Sequence, residues 1–228
     1  MKPAVHNRVC ALVGPDGDPA RQAVASGSGR PGTIVDDTRL RPGVERALAA
    51  GADWIWVLDG SAVPRPDALA ALLAALERSQ GLPEPSLLTG VVVDSGGRVA
   101  ADRSPWYRRY TMDVTLSSVE RGLLPVRASI GPALVRSDAA AATPPPDGAR
   151  VALDDVLGWT AALLRDRTGY LVPESESESV AEAADPLGRL TTAARLMLSD
   201  AMGRWDRTGV ALELAERAGR RPSVGRGA

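Results

Sequence analysis

The sequence contains no phenylalanine, one cysteine and one histidine, and these absences exclude several classes of protein. A single cysteine cannot form an intramolecular disulfide, so the chain is not a small disulfide-stabilised scaffold. Cys10 lies in an apolar run, which favours a buried thiol over a nucleophile. Because His6 precedes the first predicted strand, we expect no histidine in a catalytic or metal site.

The charge balance also excludes function classes. The 27 basic and 28 acidic residues give a net charge of -1. No global basic field is present, so we expect no nucleic-acid partner. The chain has no signal-like segment and no apolar run of about 18 residues, the length needed to span a bilayer. We therefore expect a cytoplasmic protein, with peripheral attachment to the inner face of the membrane as an alternative.

Short apolar runs alternate with segments of helical periodicity along most of the chain. With 228 residues, of which 44% are hydrophobic, the chain can bury one substantial core. Such alternation predicts an α/β fold with a mainly parallel sheet flanked by helices. The predicted strands cover residues 9–13, 33–35, 54–58, 87–93 and 170–172, with strand character around 124–135.

The C-terminal part of the chain has a different composition. Residues 174–179 alternate glutamate and serine, which predicts a solvated acidic linker over 175–184 after a main domain at 1–174. An apolar stripe at helical spacing predicts an amphipathic helical extension over 185–217. Packing on the main domain is the default for this stripe; a partner protein or a second copy of the chain is the alternative. Residues 218–228 are predicted to be disordered. The stripe consists of Leu187, Leu190, Ala194, Met197, Ala201 and Trp205.

The most informative segment is the buried strand at 54–58, which ends on Asp59. A turn containing Pro64 and Pro66 follows, and a helix begins after Asp67. In α/β folds, ligands bind at the carboxyl ends of the strands. The sequence therefore indicates a ligand site beside Asp59.

Acidic residues stand at two comparable places. Asp36 ends the second predicted strand, and Asp154 and Asp155 open the helix that begins near residue 153. Turn formation explains Asp36 without any function, and favourable interaction with the helix dipole explains Asp154 and Asp155. Taken alone, neither position indicates chemistry.

The order of these features resembles that of the family-two glycosyltransferases of the GT-A fold, over residues 8–174. The first feature is a strand that ends on an aspartate, and the second is a strand followed by an aspartate, a turn and a helix that begins with Pro-x-Pro. A glycine-containing strand that ends in arginine comes next, and a helix that begins with two aspartates is last. The resemblance implies a GT-A-like, Rossmann-like sheet. It also implies transfer of a sugar, with inversion, from a nucleotide-sugar donor to a hydroxyl of a glycan or lipid-linked acceptor.

The resemblance assigns roles on the donor side and at the reacting centre. Asp155 stands where the family has its general base, and Asp154 has the supporting position. Asp36 corresponds to the residue that binds the nucleotide base. Asp59 corresponds to a ligand of the ribose or of a divalent cation, and Ser61 would contact a phosphate or a metal-bound water.

On the acceptor side the resemblance implies a second group of residues. Gly131 and Arg136 belong to the glycine-containing strand, and Arg165 occupies the family's arginine position. Trp106 lies between arginines in a predicted loop, where its ring could stack on a sugar.

Two departures from the family pattern keep other functions open. Ser61 replaces the second aspartate of the Asp-x-Asp motif, so Asp59 would hold Mn²⁺ or Mg²⁺ weakly, or no metal is used. The segment between Thr38 and Asp53 is also shorter than in the family. Both departures favour the alternative of an inactive scaffold or partner subunit, with residues 187–205 as its interaction surface. A nucleotidyltransferase is disfavoured because the loop at 14–18 is acidic.

Overall fold

A computed structural model gives the structure of residues 8–15, 18–100, 112–129 and 131–180. Trp106, the extension predicted at 185–217, its stripe at 187–205 and the tail predicted at 218–228 lie outside these residues, so those predictions stay predictions. The described elements are, in chain order, β1 Val9–Val13, α1 Asp18–Ser26, β2 Thr33–Asp36, α2 Leu40–Ala49, β3 Trp54–Leu58, β4 Ala62–Pro64, α3 Ala68–Arg78, β5 Pro85–Val93, α4 Met112–Glu120, β6 Leu124–Val126, β7 Ala133–Arg136, α5 Ser137–Ala142, α6 Leu153–Leu163 and β8 Thr168–Ser179.

The strands form one sheet in the order β2-β1-β3-β7-β5-β8-β4, and β6 pairs with the first part of β8. β2, β1, β3, β5 and β8 run in one direction, because β7 reverses the direction between β3 and β5 and each of the other pairings among them is parallel. β4, β6 and β7 run in the opposite direction. The predicted α/β fold with a mostly parallel central sheet is confirmed.

Helices cover both faces of the sheet. Alternate residues of β1 and β3 point to opposite faces, so each strand contributes to two clusters of buried side chains. One cluster packs against α2, α5 and α6, and the other packs against α1 and α3. Burial on both faces explains why these strands are continuous apolar runs. Without phenylalanine, the largest fully buried side chains are Trp159 and Tyr170, with leucine supplying most of the others.

The acidic linker predicted at 175–184 is wrong for its first part, because residues 174–179 belong to β8. Ser175 and Ser177 are buried, and this part of β8 pairs with β5 on one side and with β4 on the other. The glutamates between the serines form ion pairs at the sheet surface, Glu174 with Arg78 and Glu176 with Arg65. The small serine side chains are buried on one face of the sheet, whereas Glu174 and Glu176 are less buried and have basic partners. The domain boundary predicted at 174 therefore lies inside a strand.

Candidate functional site

The carboxyl ends of β1, β2 and β3 meet the segment that precedes α6. The backbone N–H of Gly14 donates to the Leu58 carbonyl at 2.9 Å, and that of Val151 donates to the Thr38 carbonyl at 3.0 Å. A Cβ added to Gly14 would lie 2.7 Å from the carbonyl oxygen of Val151. These contacts bring the beginning of α6 to the edge of the sheet where β2 and β3 end.

Asp59 is buried at this edge, with 8% of its surface exposed. Its Oδ1 accepts a hydrogen bond from the backbone N–H of Ser61 at 2.9 Å and another from the Ser61 hydroxyl. Gly60, with φ of 79°, forms the turn between them, in a region that side-chain-bearing residues rarely adopt. Oδ2 is buried and has no hydrogen-bond partner within the described structure. Since buried polar atoms are almost always paired, this oxygen is the strongest indication of a ligand at the edge.

Asp36 lies at the end of β2 with its side chain half exposed, in an ion pair with Arg21 of α1. The adjacent Asp37 pairs with Arg46 of α2 and accepts a hydrogen bond from the backbone N–H of Arg39 at 2.9 Å. The structure thus places Asp36 at the predicted edge. A ligand that used its carboxylate would have to share it with Arg21 or displace that side chain.

Asp154 and Asp155 lie in the first turn of α6, at the same edge. Oδ2 of Asp155 accepts a hydrogen bond from the backbone N–H of Arg150 at 2.8 Å, which ties the preceding loop to the helix. Asp154 is exposed. The helix dipole favours carboxylates at this position, and the bond to Arg150 gives Asp155 a structural role that needs no catalysis.

The predicted acceptor side is divided between two edges of the sheet. β7 runs antiparallel to β3, so Gly131, just before β7, lies near the Asp59 edge, whereas Arg136 lies opposite Trp54 at the other end. Arg136 there forms ion pairs with Glu84 and Asp138. Burial lowers the pKa of Arg136, but hydrogen bonds to these carboxylates outweigh it and raise the pKa overall. The acceptor-side prediction for Arg136 is therefore corrected.

Arg165 is also remote from this edge. It is exposed and lies just beyond Leu163, the last residue of α6. Because α6 begins at the Asp59 edge and extends for about 16 Å at 1.5 Å per residue, its two ends are well separated. The structure does not bring Arg165 to Asp155, so its predicted place in the site is also corrected.

A buried hydroxyl network behind the site was missed from the sequence. Oγ1 of Thr89 and Oγ of Ser129 are 2.9 Å apart, and the Ser129 hydroxyl donates to the Gly131 carbonyl at 2.7 Å. The backbone N–H of Ser129 donates to Oγ1 of Thr160 at 3.0 Å. The network fixes the loop before β7 against β5 and α6. Isolated serines and threonines form no motif, so no sequence signal could have identified it.

The metal-binding capacity of the edge is small. Across the described ranges, no group of three or more His, Cys, Asp or Glu residues could hold a metal ion. Oδ2 of Asp59 is the one buried carboxylate oxygen that the structure shows without a hydrogen-bond partner in these ranges. A divalent cation would therefore take a single oxygen from Asp59 and its other ligands from substrate and water. Among the described helices, none combines the length and apolar content needed to cross a membrane.

Comparison with known proteins gives structural similarities only. No protein-family model and no curated protein matches the sequence. The chain is similar to a crystal structure of GalNAc-T7 with UDP, GalNAc and Mn²⁺, at 9% identity and a TM-score of 0.44, over 72% of this chain and 36% of that one. It is also similar to S. aureus TarS 1–349, at 9% identity and a TM-score of 0.45, over 92% of this chain and 70% of that one. The chain thus spans little more than a third of the GalNAc-T7 chain, and at these TM-scores neither similarity bears on its function.

Proposed function

We propose that the chain is a glycosyltransferase that moves a sugar from a nucleotide-sugar donor to a hydroxyl of a glycan or lipid-linked acceptor, with inversion. The observation that carries the proposal is Asp59: a buried carboxylate at the carboxyl edge of the sheet, with Oδ1 fixed by Ser61 and Oδ2 unpaired. Carboxylates at this edge are suited to ribose hydroxyls and to phosphate-bound cations. The order of motifs that resembles the family-two glycosyltransferases supports the same function.

The acidic residues have distinct roles in this proposal. Asp59 binds the ribose or a cation through Oδ2, and Asp36 accepts a hydrogen bond from the nucleotide base. Asp155 removes the proton of the acceptor hydroxyl as that oxygen attacks the anomeric carbon, on the side opposite the departing diphosphate. Attack from that side inverts the configuration of the carbon. Asp154 has the supporting position beside Asp155 in the first turn of α6.

A divalent cation has a limited place in this site. Mn²⁺ or Mg²⁺ would supply positive charge to the departing diphosphate. Ser61 offers no charge, so the cation would be held by Asp59 and by the substrate, and metal dependence would be weak. We place the reaction in the cytoplasm or at the inner face of the membrane, because the donor is a soluble nucleotide sugar.

An inactive scaffold is the second candidate, and it too has a supporting observation. The carboxylate of Asp36 is held by Arg21, and that of Asp155 is bonded to the Arg150 backbone. Both acids thus have structural partners that explain their presence without catalysis. In this case residues 187–205 would be the interaction surface.

A thermal-shift panel with UDP-, GDP- and dTDP-sugars, with and without Mn²⁺, tests the proposal. A donor at a hundredfold excess over its Kd stabilises the fold by about 2.7 kcal/mol. Asp59→Asn should remove that stabilisation. The matched control is Asp53→Asn, because Asp53 pairs with Arg8 at the opposite edge and this variant should keep the ligand response.

The variant Asp155→Asn distinguishes an active glycosyltransferase from an inactive scaffold. If Asp155 is the general base, this variant keeps donor binding and loses about 10²–10⁴ in transfer rate. Donor binding with unchanged turnover would reject that role. No stabilisation by any donor, with or without Mn²⁺, would reject the glycosyltransferase in favour of the scaffold.

A further inference from the structure

Two arginines face each other at the edge that holds Asp59. Arg39, between β2 and α2, and Arg150, before α6, form an isolated antiparallel bridge. Two backbone hydrogen bonds flank the pair, from Leu40 N–H to the Ala149 carbonyl at 2.8 Å and from Val151 N–H to the Thr38 carbonyl at 3.0 Å. This pattern defines a non-hydrogen-bonded pair, in which the Cα atoms are about 4.5 Å apart and the side chains lie closest together.

The two guanidinium groups therefore start from the same side of a rigid backbone pairing. Both side chains are exposed. Like charges directly opposite each other destabilise a pair of strands, so this arrangement has a cost in the free protein. No ion pair joins either guanidinium to a carboxylate within the described residues.

Several carboxylates close to the pair in sequence are bound to other groups. Asp37 pairs with Arg46, Asp36 with Arg21, and Asp147 with Arg41. Asp155 contacts the backbone N–H of Arg150. An anion from outside the protein would thus complete the Arg39–Arg150 pair.

The position of the pair connects it to the candidate site. Arg150 immediately precedes Val151, whose carbonyl lies against Gly14 at the end of β1. Gly14 in turn is hydrogen-bonded to Leu58, the residue before Asp59. The guanidinium pair and Asp59 therefore belong to one contiguous edge.

We propose that Arg39 and Arg150 together bind a phosphate group of a substrate. A guanidinium group matches two oxygens of a phosphate with parallel N–H bonds, and two such groups can hold a dianion between them. The assignment to a substrate rests on the proposed function. The chemistry is that of a phosphate monoester or diphosphate, supplied either by the nucleotide donor or by a phosphorylated acceptor.

Inorganic pyrophosphate is the first probe, with sodium chloride at equal ionic strength as the reference. We expect pyrophosphate to raise the Tm of the full chain and to bind by calorimetry. Arg39→Gln and Arg150→Gln should each weaken binding by roughly tenfold or more, since hydrogen bonds to charged groups contribute at least that factor. Each variant should fold at least as stably as the natural protein without ligand, because repulsion is relieved.

Arg30→Gln is the matched control, because Arg30 is exposed in the loop at the opposite edge, where Gly32 N–H donates to the Val9 carbonyl. This variant makes the same charge change and should retain pyrophosphate binding. No pyrophosphate binding by the natural protein, or an equal loss in all three variants, would overturn the proposal. An equal loss in all three variants would show that net charge alone determines pyrophosphate binding.

UDP distinguishes the two sources of the phosphate. If Arg39→Gln and Arg150→Gln weaken UDP binding as much as pyrophosphate binding, the pair holds the donor diphosphate. If UDP binding is unchanged, and pyrophosphate still binds in the presence of saturating UDP, the phosphate belongs to the acceptor. Binding of pyrophosphate without binding of any nucleotide would refute the proposed function and leave the phosphate site standing.

Discussion

The backbone N–H and the hydroxyl of Ser61 both donate to the same oxygen of Asp59, Oδ1. Ser61 thus fixes the orientation of the Asp59 carboxylate. Because Oδ1 is already occupied by two donors, Oδ2 is the oxygen that remains for a ligand. The site therefore offers a single oriented carboxylate oxygen at this position.

Replacing Ser61 by alanine or aspartate tests this relationship. Ser61→Ala should cost about 0.5–1.5 kcal/mol of stability, because Asp59 loses one donor and keeps the other. Ser61→Asp should destabilise the free protein through repulsion between adjacent carboxylates, and it should tighten Mn²⁺ binding in the presence of nucleotide. Calorimetric titration with Mn²⁺ measures the gain. Tight Mn²⁺ binding by the natural protein, or no gain in Ser61→Asp, would contradict it.

The sequence predicted β1 and β3 with their observed ends. Both strands are buried on two faces, so they are continuous apolar runs, and they stop at Gly14 and Asp59. The acids at the edge could be placed for the same reason: each follows a strand or opens a helix. The mainly parallel α/β class followed from the alternation of elements.

Other features depend on pairings that the sequence does not encode locally. β4 has three residues and exists because β8 pairs with it, and the Ser-Glu part of β8 has little hydrophobicity of its own. Arg136 was misplaced because β7 is antiparallel to β3, and strand direction is set by the path of the chain between them. The bridge between Arg39 and Arg150 joins residues more than a hundred positions apart, so no local pattern indicates it.

Two helical glycines should respond oppositely to alanine. In α2, a Cβ on Gly43 would lie 2.5 Å from Cδ1 of the fully buried Leu12, so α2 must move or Leu12 must repack. We expect Gly43→Ala to cost about 1–3 kcal/mol. In α6, a Cβ on Gly158 meets nothing within 4 Å, so Gly158→Ala should add about 0.5–1 kcal/mol through helix propensity. Urea denaturation measures both, and a Gly43→Ala protein as stable as Gly158→Ala would refute the close packing of α2 on β1.

Asp138 should contribute a pH-dependent part of the stability. Burial raises the pKa of Asp138, but the hydrogen bond and charge of Arg136 outweigh it and lower the pKa overall. A carboxyl with a lowered pKa in the folded state stabilises the fold above its unfolded pKa, and this contribution is lost as pH falls through the folded value. The side chain is 67% exposed, so Asp138→Asn should cost at most about 1 kcal/mol near pH 7.

The measurement is urea denaturation from pH 7 down to about pH 3. The difference between natural protein and Asp138→Asn should shrink as the pH falls below about 4, the usual pKa of aspartate. The charge-matched control is Asp67→Asn, because Asp67 makes no helix-capping side-chain hydrogen bond. A difference for Asp138→Asn that stays constant with pH would show that Arg136 does not stabilise the ionised carboxylate.

Neighbouring residues of the Ser-Glu segment should differ sharply in tolerance if this segment is a strand. Ser177 is 1% exposed and pairs with Val92 of β5 and Pro64 of β4, whereas the next residue, Glu178, is exposed. Ser177→Glu forces a carboxylate into a buried position, so we expect a loss of at least about 2 kcal/mol. Glu178→Ser changes an exposed position and should stay within about 0.5 kcal/mol. Urea denaturation of the two variants reads out the alternation directly, because a solvated linker would accept both changes equally. Equal stabilities of the two variants would therefore show that the residues beyond 174 form a solvated linker and not part of β8.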